Sequence, residues 1–292
     1  MIGEFKNAFQ NQNNAHIRLI LINAVIFLFL AVVMVITTIG GFDGIFIQLY
    51  KQFSIPPSFA DFSERPWTLI TYAFSHQITD IWHIIFNMLS LYWFGRLFIE
   101  YLGNDRLIAL YVLGALAGGL FYLLMFNTIP FFIERSGSGM VGASAAVYAI
   151  MVGSATLVPD YTFFLMFFGP VRIKYIALFF ILLSFIGTVS SNAGGNLAHL
   201  GGALVGFVYV KQLQRGTDLG GWITALINRV TKLFKRRPTM KFSRTERPKK
   251  SAVKDSAISQ QEIDAILDKI SEKGYDALTR EEKEKLFRAG KN

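Results

Sequence analysis

A serine hydroxyl becomes an effective nucleophile when a neighbouring imidazole takes its proton. This sequence offers such a pair in unusual surroundings. Ser144 opens the apolar run Ser-Ala-Ala-Val-Tyr-Ala-Ile, and His199 lies inside Asn-Leu-Ala-His-Leu-Gly-Gly. A third apolar run holds His83 and Asn87 four residues apart, which on a helix places them on one face. Imidazole and amide N–H groups, joined by a backbone N–H from the first turn of a helix, are the donors that a tetrahedral oxyanion requires. Taken singly, each residue has a plainer reading. Ser144 is a helix cap, and a lone His or Asn in an apolar helix makes a packing hydrogen bond to its neighbour. Together they point to acyl transfer.

The elements that must bring these residues together are set by composition. The chain has 292 residues, 52% apolar and 15% aromatic, and only 17% are charged. A soluble domain carries about a quarter charged residues. Segments 19–39 and 107–126 contain no charge at all. A bilayer core of about 30 Å takes about 20 apolar residues as a helix, and helices of soluble cores are usually shorter. The first run is too long for a signal peptide and lacks a small-residue cleavage site, so it reads as a retained span. The expectation is an all-α membrane protein with six spans, at 18–39, 80–99, 106–126, 142–158, 172–189 and 193–211.

Charge in the loops orients this bundle. With the N-terminus cytoplasmic, the inner connections hold Arg96 and Arg106, then Arg172 and Lys174, then Lys211 and Arg215. The outer connections hold only Lys51, Arg65 and Arg135 in much longer sequence. Both ends are then inside. His83 falls about one turn below the outer surface with Asn87 a turn deeper, Ser144 in the first turn of the fourth span, and His199 about two turns down the sixth. Polar residues inside spans mark function by default. No Asp or Glu lies deep enough in the outer halves to orient His199, so the residues support a dyad. The chain has no cysteine, which removes disulfides, thiolate catalysis and Cys-ligated metals. There is no H-E-x-x-H zinc motif either, so no cofactor is expected.

Outside the spans, residues 40–79 form a long outer loop with Phe42, Phe46, Tyr50, Phe53, Phe59, Phe62, Trp67 and Phe74, a composition suited to the membrane interface. Residues 214–258 read as a basic juxtamembrane segment. Trp222, Ile223, Leu226, Ile227, Val230, Leu233 and Phe234 recur at helical spacing, and 229–254 holds eleven Lys or Arg against one acid. Such a stretch attracts anionic lipid or simply fixes topology. It is a poor case for nucleic-acid binding, because the net charge of +9 arises there. Residues 259–292 read as a helical hairpin, with capping boxes at Ser259–Glu262 and Thr279–Glu282.

Gly142-Ala143-Ser144-Ala145 with Tyr148, followed by Ala198-His199-Leu200-Gly201-Gly202 and Gly206, resembles the signature of rhomboid intramembrane proteases. His83-Ile84-Ile85-Phe86-Asn87 matches that family's H-x-x-x-N. The likeness spans residues 17–213 and implies a six-helix bundle around a water-filled cavity open to the outside. It implies Ser144 as nucleophile and His199 as base, with oxyanion donors at the Ser144 N–H, His83 and Asn87. It further implies Tyr148 as a ring packed on the histidine, Gly202 and Gly206 as sites of close helix approach, and a loop anchored near Trp67. Two positions depart from the family pattern: Ala145 stands where glycine is usual, and Thr68 follows the loop tryptophan in place of arginine.

The resulting expectation is a serine endopeptidase that cuts transmembrane segments of other membrane proteins near the outer face, with lateral access beside the fifth span and residues 188–196 as a lid made mobile by Gly194–Gly195. The alternative within the same fold is a non-catalytic rhomboid-like adaptor. A transporter would need polar residues along the whole depth, and the inner halves of these spans are nearly all apolar. The compact core resembles bacterial members of the family, which places the chain in a bacterial inner membrane.

Overall fold

The computed structural model describes residues 14–137, 139–165, 168–234 and 259–289. It divides into two units, Met1–Arg236 and Arg237–Asn292. Residues 1–13 and the basic stretch 235–258 lie outside the described residues, and with them most of the N-terminal segment 1–16, which the topology expected above puts on the cytoplasmic side, and much of the basic segment 214–258.

The first unit is built on six apolar helices: α1 (Ala15–Ile39), α5 (Ile81–Leu102), α6 (Asn104–Thr128), α8 (Ser144–Leu157), α9 (Ile173–Gly187) and α10 (Ala193–Gln214). Short elements join them. These are α2 (Asp43–Lys51), α3 (Phe59–Glu64), α4 (Thr68–Thr71) with a 3-10 turn at Tyr72–Phe74, α7 (Pro130–Ile133), and a hairpin of β1 (Thr162–Leu165) and β2 (Gly169–Arg172). A last helix, α11 (Gly221–Phe234), packs against α6. Boundaries follow local chemistry. The Asp80 carboxylate accepts from the Trp82 and His83 N–H groups to start α5. Gly103, at φ +81°, turns the chain directly from α5 into α6.

α1, α6 and α10 are long and apolar enough to cross a membrane, and α8 and α9 are apolar but shorter. The outward faces of α1 (Val25, Phe29, Val32, Ile36) and α9 (Phe179, Leu182, Phe185, Ile186) are exposed and wholly apolar. Continuous patches of this kind belong against lipid. α8 lies at the centre, with Ala145, Ala146, Ala149 and Ile150 buried. It is also the shortest of the six, 14 residues. At 1.5 Å per residue it spans about 21 Å against a hydrocarbon core of about 30 Å. The chain just before it, from Gly139 to Ala143, is irregular apart from a bridge at Met140.

The hairpin pairs antiparallel, Phe163 opposite Val171 and Leu165 opposite Gly169. At its base Asp160 receives Lys174 at 2.7 Å and Arg172 at 3.2 Å. The sequence predicts no element between the expected spans 142–158 and 172–189. The difference is local: four residues a side is too short to show strand alternation.

In the second unit, α12 (Gln260–Lys273) and α13 (Arg280–Ala289) form a hairpin. Ser259 and Glu262 make a reciprocal capping box. Thr279 and Glu282 repeat it, through the Thr279 N–H to the Glu282 carboxylate at 2.7 Å. Lys269 and Lys285 bridge to Glu282 and Glu262 at 2.8 and 3.0 Å, over a small core of Ile266 and Leu278.

Candidate active site

Ser144 begins α8, and glycines on two sides fix that helix. On one side, a side chain on Gly114 would meet Ala149 Cβ at 2.6 Å, and one on Gly118 would meet Ala145 Cβ at 2.5 Å. On the other side, Gly202 and Gly206 of α10 lie directly on the carbonyl oxygens of Ala145 and Ala149. Two small-x-x-x-small stripes thus clasp the Ala145-x-x-x-Ala149 ridge, the packing that lets apolar helices approach to backbone contact. The methyl of Ala145, where the family pattern has glycine, is absorbed in the notch that Gly118 leaves open.

The close approach of α10 sets His199 beside α8. Its ring stacks on Tyr148, with centroids 4.2 Å apart and planes within 10°. Its Nδ1 lies 3.1 Å from the hydroxyl of Ser184 on α9. Ser184 in turn donates to the Tyr148 hydroxyl at 2.9 Å, and the Tyr148 hydroxyl donates to the Phe180 carbonyl at 3.4 Å. Ser184 did not emerge from the sequence. A serine in an apolar span reads as a packing hydrogen bond, and nothing in α9's composition shows which side faces His199. Ser144 and His199 line one cavity, but no hydrogen bond joins the Ser144 hydroxyl to the ring.

Gly142 makes the turn into α8 at φ +138°, a conformation suited to glycine. A side chain there would come within 3.0 Å of His83 Nε2 and 3.4 Å of Ser144 Oγ, so hydroxyl and imidazole flank the same small space. His83 packs edge-on against the buried ring of His76, centroids 5.3 Å apart. Asn87, buried one turn below, donates one amide hydrogen to the His83 carbonyl at 2.7 Å and has a second to give. The helix ladder of α8 starts with the Val147 N–H on the Ala143 carbonyl. The Ser144 N–H therefore belongs to the orphan first turn.

The outer loop holds this turn in place. Ile55 and Met140 exchange both backbone hydrogen bonds, at 3.0 and 2.9 Å, and the Gly142 N–H donates to the Tyr72 carbonyl at 3.0 Å. The 3-10 turn carrying Tyr72 is itself pinned, with Tyr72 donating to the Ala115 carbonyl and Tyr111 to the Ala73 carbonyl. Thr68 is buried and its hydroxyl donates to the Arg65 carbonyl at 2.6 Å, while Trp67 stays half exposed. The Ile55–Met140 pairing was not legible in the sequence, because an isolated bridge has no periodicity.

A cavity of about 1270 Å³ opens over these groups. Ser144, His199, His83, Asn87 and Tyr148 line it, together with residues from α2 and from the 189–195 segment. That segment corrects one expectation. Gly194 and Gly195 lie in the first turn of α10, and a side chain on Gly194 would meet Tyr122 at 2.7 Å. Gly194 serves close packing, and the Asn196 amide ties the turn to the Gly187 carbonyl at 2.8 Å. Among the described residues, no cluster of three His, Asp or Glu could hold a metal ion.

Comparison with known proteins agrees with this geometry in extent. A family model described as Rhomboid domain matches residues 63–215, and one described as Family of unknown function (DUF6576) matches 254–292. RHOMBOID-like protein 12, mitochondrial, of Arabidopsis thaliana is 38% identical over 164 residues, covering 53% of this chain and 48% of that protein. Rhomboid-like protein 16, chloroplastic, of the same plant is 30% identical over 52% of this chain and 50% of its own. Rhomboid protein 1, mitochondrial, of Saccharomyces cerevisiae is 30% identical over 54% of this chain and 45% of its own. The chain spans about half the length of the curated relatives it matches. Because the matched domain takes in more than half of the chain, from the outer loop through the helix bearing His199, this protein belongs to the rhomboid family.

Proposed function

We propose that this protein is an intramembrane serine endopeptidase with a Ser144–His199 dyad. One observation carries the reading: a serine at the start of a shortened central helix shares a cavity with an imidazole stacked on Tyr148 and with two further N–H donors, His83 and Asn87. In this mechanism Ser144 Oγ attacks a peptide carbonyl of the substrate while its proton passes to His199 Nε2. The oxyanion forms against the Ser144 N–H, His83 and Asn87. His199 then protonates the leaving amine, and water from the cavity hydrolyses the acyl-enzyme.

The substrate is a transmembrane segment that unwinds near the outer face, since a hydrogen-bonded helix shields its carbonyls from attack. Small residues at the cut and helix-weakening residues below it suit this requirement, and lateral access runs beside α9. The topology we assign has six spans and both termini on the cytoplasmic side, as the loop charges favour. The basic stretch after α11 then meets anionic lipid at the inner surface. We place the chain in a bacterial inner membrane on the compactness of its core.

The test is cleavage of a transmembrane substrate in reconstituted liposomes. Ser144→Ala should abolish it, and a fluorophosphonate should label the wild type and not the variant. Cleavage retained by Ser144→Ala rejects the assignment. Absence of both cleavage and labelling in folded wild type favours a non-catalytic adaptor.

A further inference from the structure

Ser184, Tyr148 and Phe180 form a chain of hydrogen bonds that ends on a group with no freedom. A backbone carbonyl can only accept. The Tyr148 hydroxyl therefore donates to the Phe180 carbonyl, 3.4 Å away, and is left to accept from Ser184 at 2.9 Å. Ser184, having given its proton to Tyr148, can only accept from His199 Nδ1 at 3.1 Å. The polarity runs one way, from imidazole through two hydroxyls to a carbonyl. It leaves Nδ1 protonated and presents the Nε2 lone pair to the cavity where Ser144 lies.

We infer that Ser184 is the positioning residue of the dyad, fixing the tautomer and orientation of His199. This rests on the proposed proteolytic role of Ser144 and His199, and deepens it. Ser184 is 2% exposed and sits on α9, while Tyr148 is on α8 and His199 on α10, so one chain of hydroxyls ties three helices at the base. A neutral hydroxyl suits the place. A carboxylate at this depth would have to be desolvated, at large cost in a low-dielectric interior. A hydroxyl orients the ring without a buried charge, and as acceptor to Nδ1–H it also stabilises the imidazolium formed in the transition state.

Two measurements test this. In full-length protein carrying ¹⁵N-histidine, the His199 resonances, assigned by their loss in His199→Asn, should show one tautomer with Nδ1 protonated. In Ser184→Ala the same ring should show a mixture of tautomers. Ser184→Ala should lower kcat about ten- to hundredfold, the range for a hydrogen bond to a group that becomes charged, with KM little changed. Ser184→Thr, which keeps the hydroxyl, should restore most of it. Tyr148→Phe keeps the stacked ring and removes the relay oxygen, so it provides a second probe should Ser184→Ala fail to fold. The double variant should be no worse than Ser184→Ala alone, because both cut one chain. Wild-type His199 protonated on Nε2, or wild-type kcat in folded Ser184→Ala, overturns the inference. Cleavage that survives Ser144→Ala instead rejects the protease reading, and the tautomer result is read independently of it.

Discussion

The clasp around α8 can be tested by adding one methyl group. In Gly118→Ala the new Cβ would stand 2.5 Å from Ala145 Cβ and 2.9 Å from the Ala198 carbonyl oxygen. Non-bonded carbons settle at about 3.5–4.0 Å, so α6 and α8 must part by about 1 Å. Overpacking of this kind costs about 1–3 kcal/mol. The displaced residue is the immediate neighbour of Ser144, and misplacing a reacting group by about 1 Å costs about a hundredfold in rate. Ala145→Gly should relieve the methyl–methyl clash, so the double variant Gly118→Ala/Ala145→Gly should regain much of the stability. It should regain less of the rate, because the contact with Ala198, next to His199, remains. Ala145→Gly alone removes a buried methyl worth about 0.8 kcal/mol and adds a helical glycine worth about 1 kcal/mol, so it should destabilise without misplacing the serine. The assays are thermal unfolding in detergent and turnover of a transmembrane substrate in liposomes. A Gly118→Ala protein with wild-type melting and turnover, or a double variant no better than the single, would refute the packing argument.

Other expectations follow from the same geometry. Gly142→Ala combines a φ of +138° with a methyl 3.0 Å from His83 Nε2, and should reduce turnover at least tenfold while the protein stays folded, read by the liposome assay beside circular dichroism. Met140→Pro deletes the N–H that bonds the Ile55 carbonyl at 2.9 Å, and should loosen the turn before α8, seen as faster hydrogen exchange at the amides of Val141 and Gly142. In the C-terminal hairpin, the Lys269 ammonium and the Thr279 cap hold the Glu282 carboxyl down at about 2. A depressed carboxyl stabilises the fold above its unfolded value near 4.5, and that contribution fades as pH falls towards 2. Hairpin amide protection should therefore decline over that window, and Glu282→Gln should flatten the dependence; an unchanged profile counts against the pairing.

The sequence revealed the helices well because each is a largely apolar run with a clear stop. The expected span 193–211 became Ala193–Gln214, and 80–99 became Ile81–Leu102. It also revealed which residues share the cavity, since depth along a helix follows from counting turns. What it concealed depends on rotation and on single contacts. α9 is apolar all round, so periodicity could not say that Ser184 faces the imidazole. Gly194 looked like a hinge because glycine in a loop and glycine against an aromatic ring are the same letter. Ala145 departs from the family pattern in sequence, and only the fold sets Gly118 opposite its methyl.

On the proposed protease reading, the shortness of α8 has a further consequence for what can be cut. If its inner end sits at the inner surface, its start lies about 9 Å beneath the outer one, the difference between the bilayer core and its length. The bundle then works as a depth gauge. An intact helix descends 9 Å in about six residues, whereas an extended strand does so in about three. The position of the cut relative to the membrane boundary of a substrate would thus report how far it had uncoiled before reaching the hydroxyl.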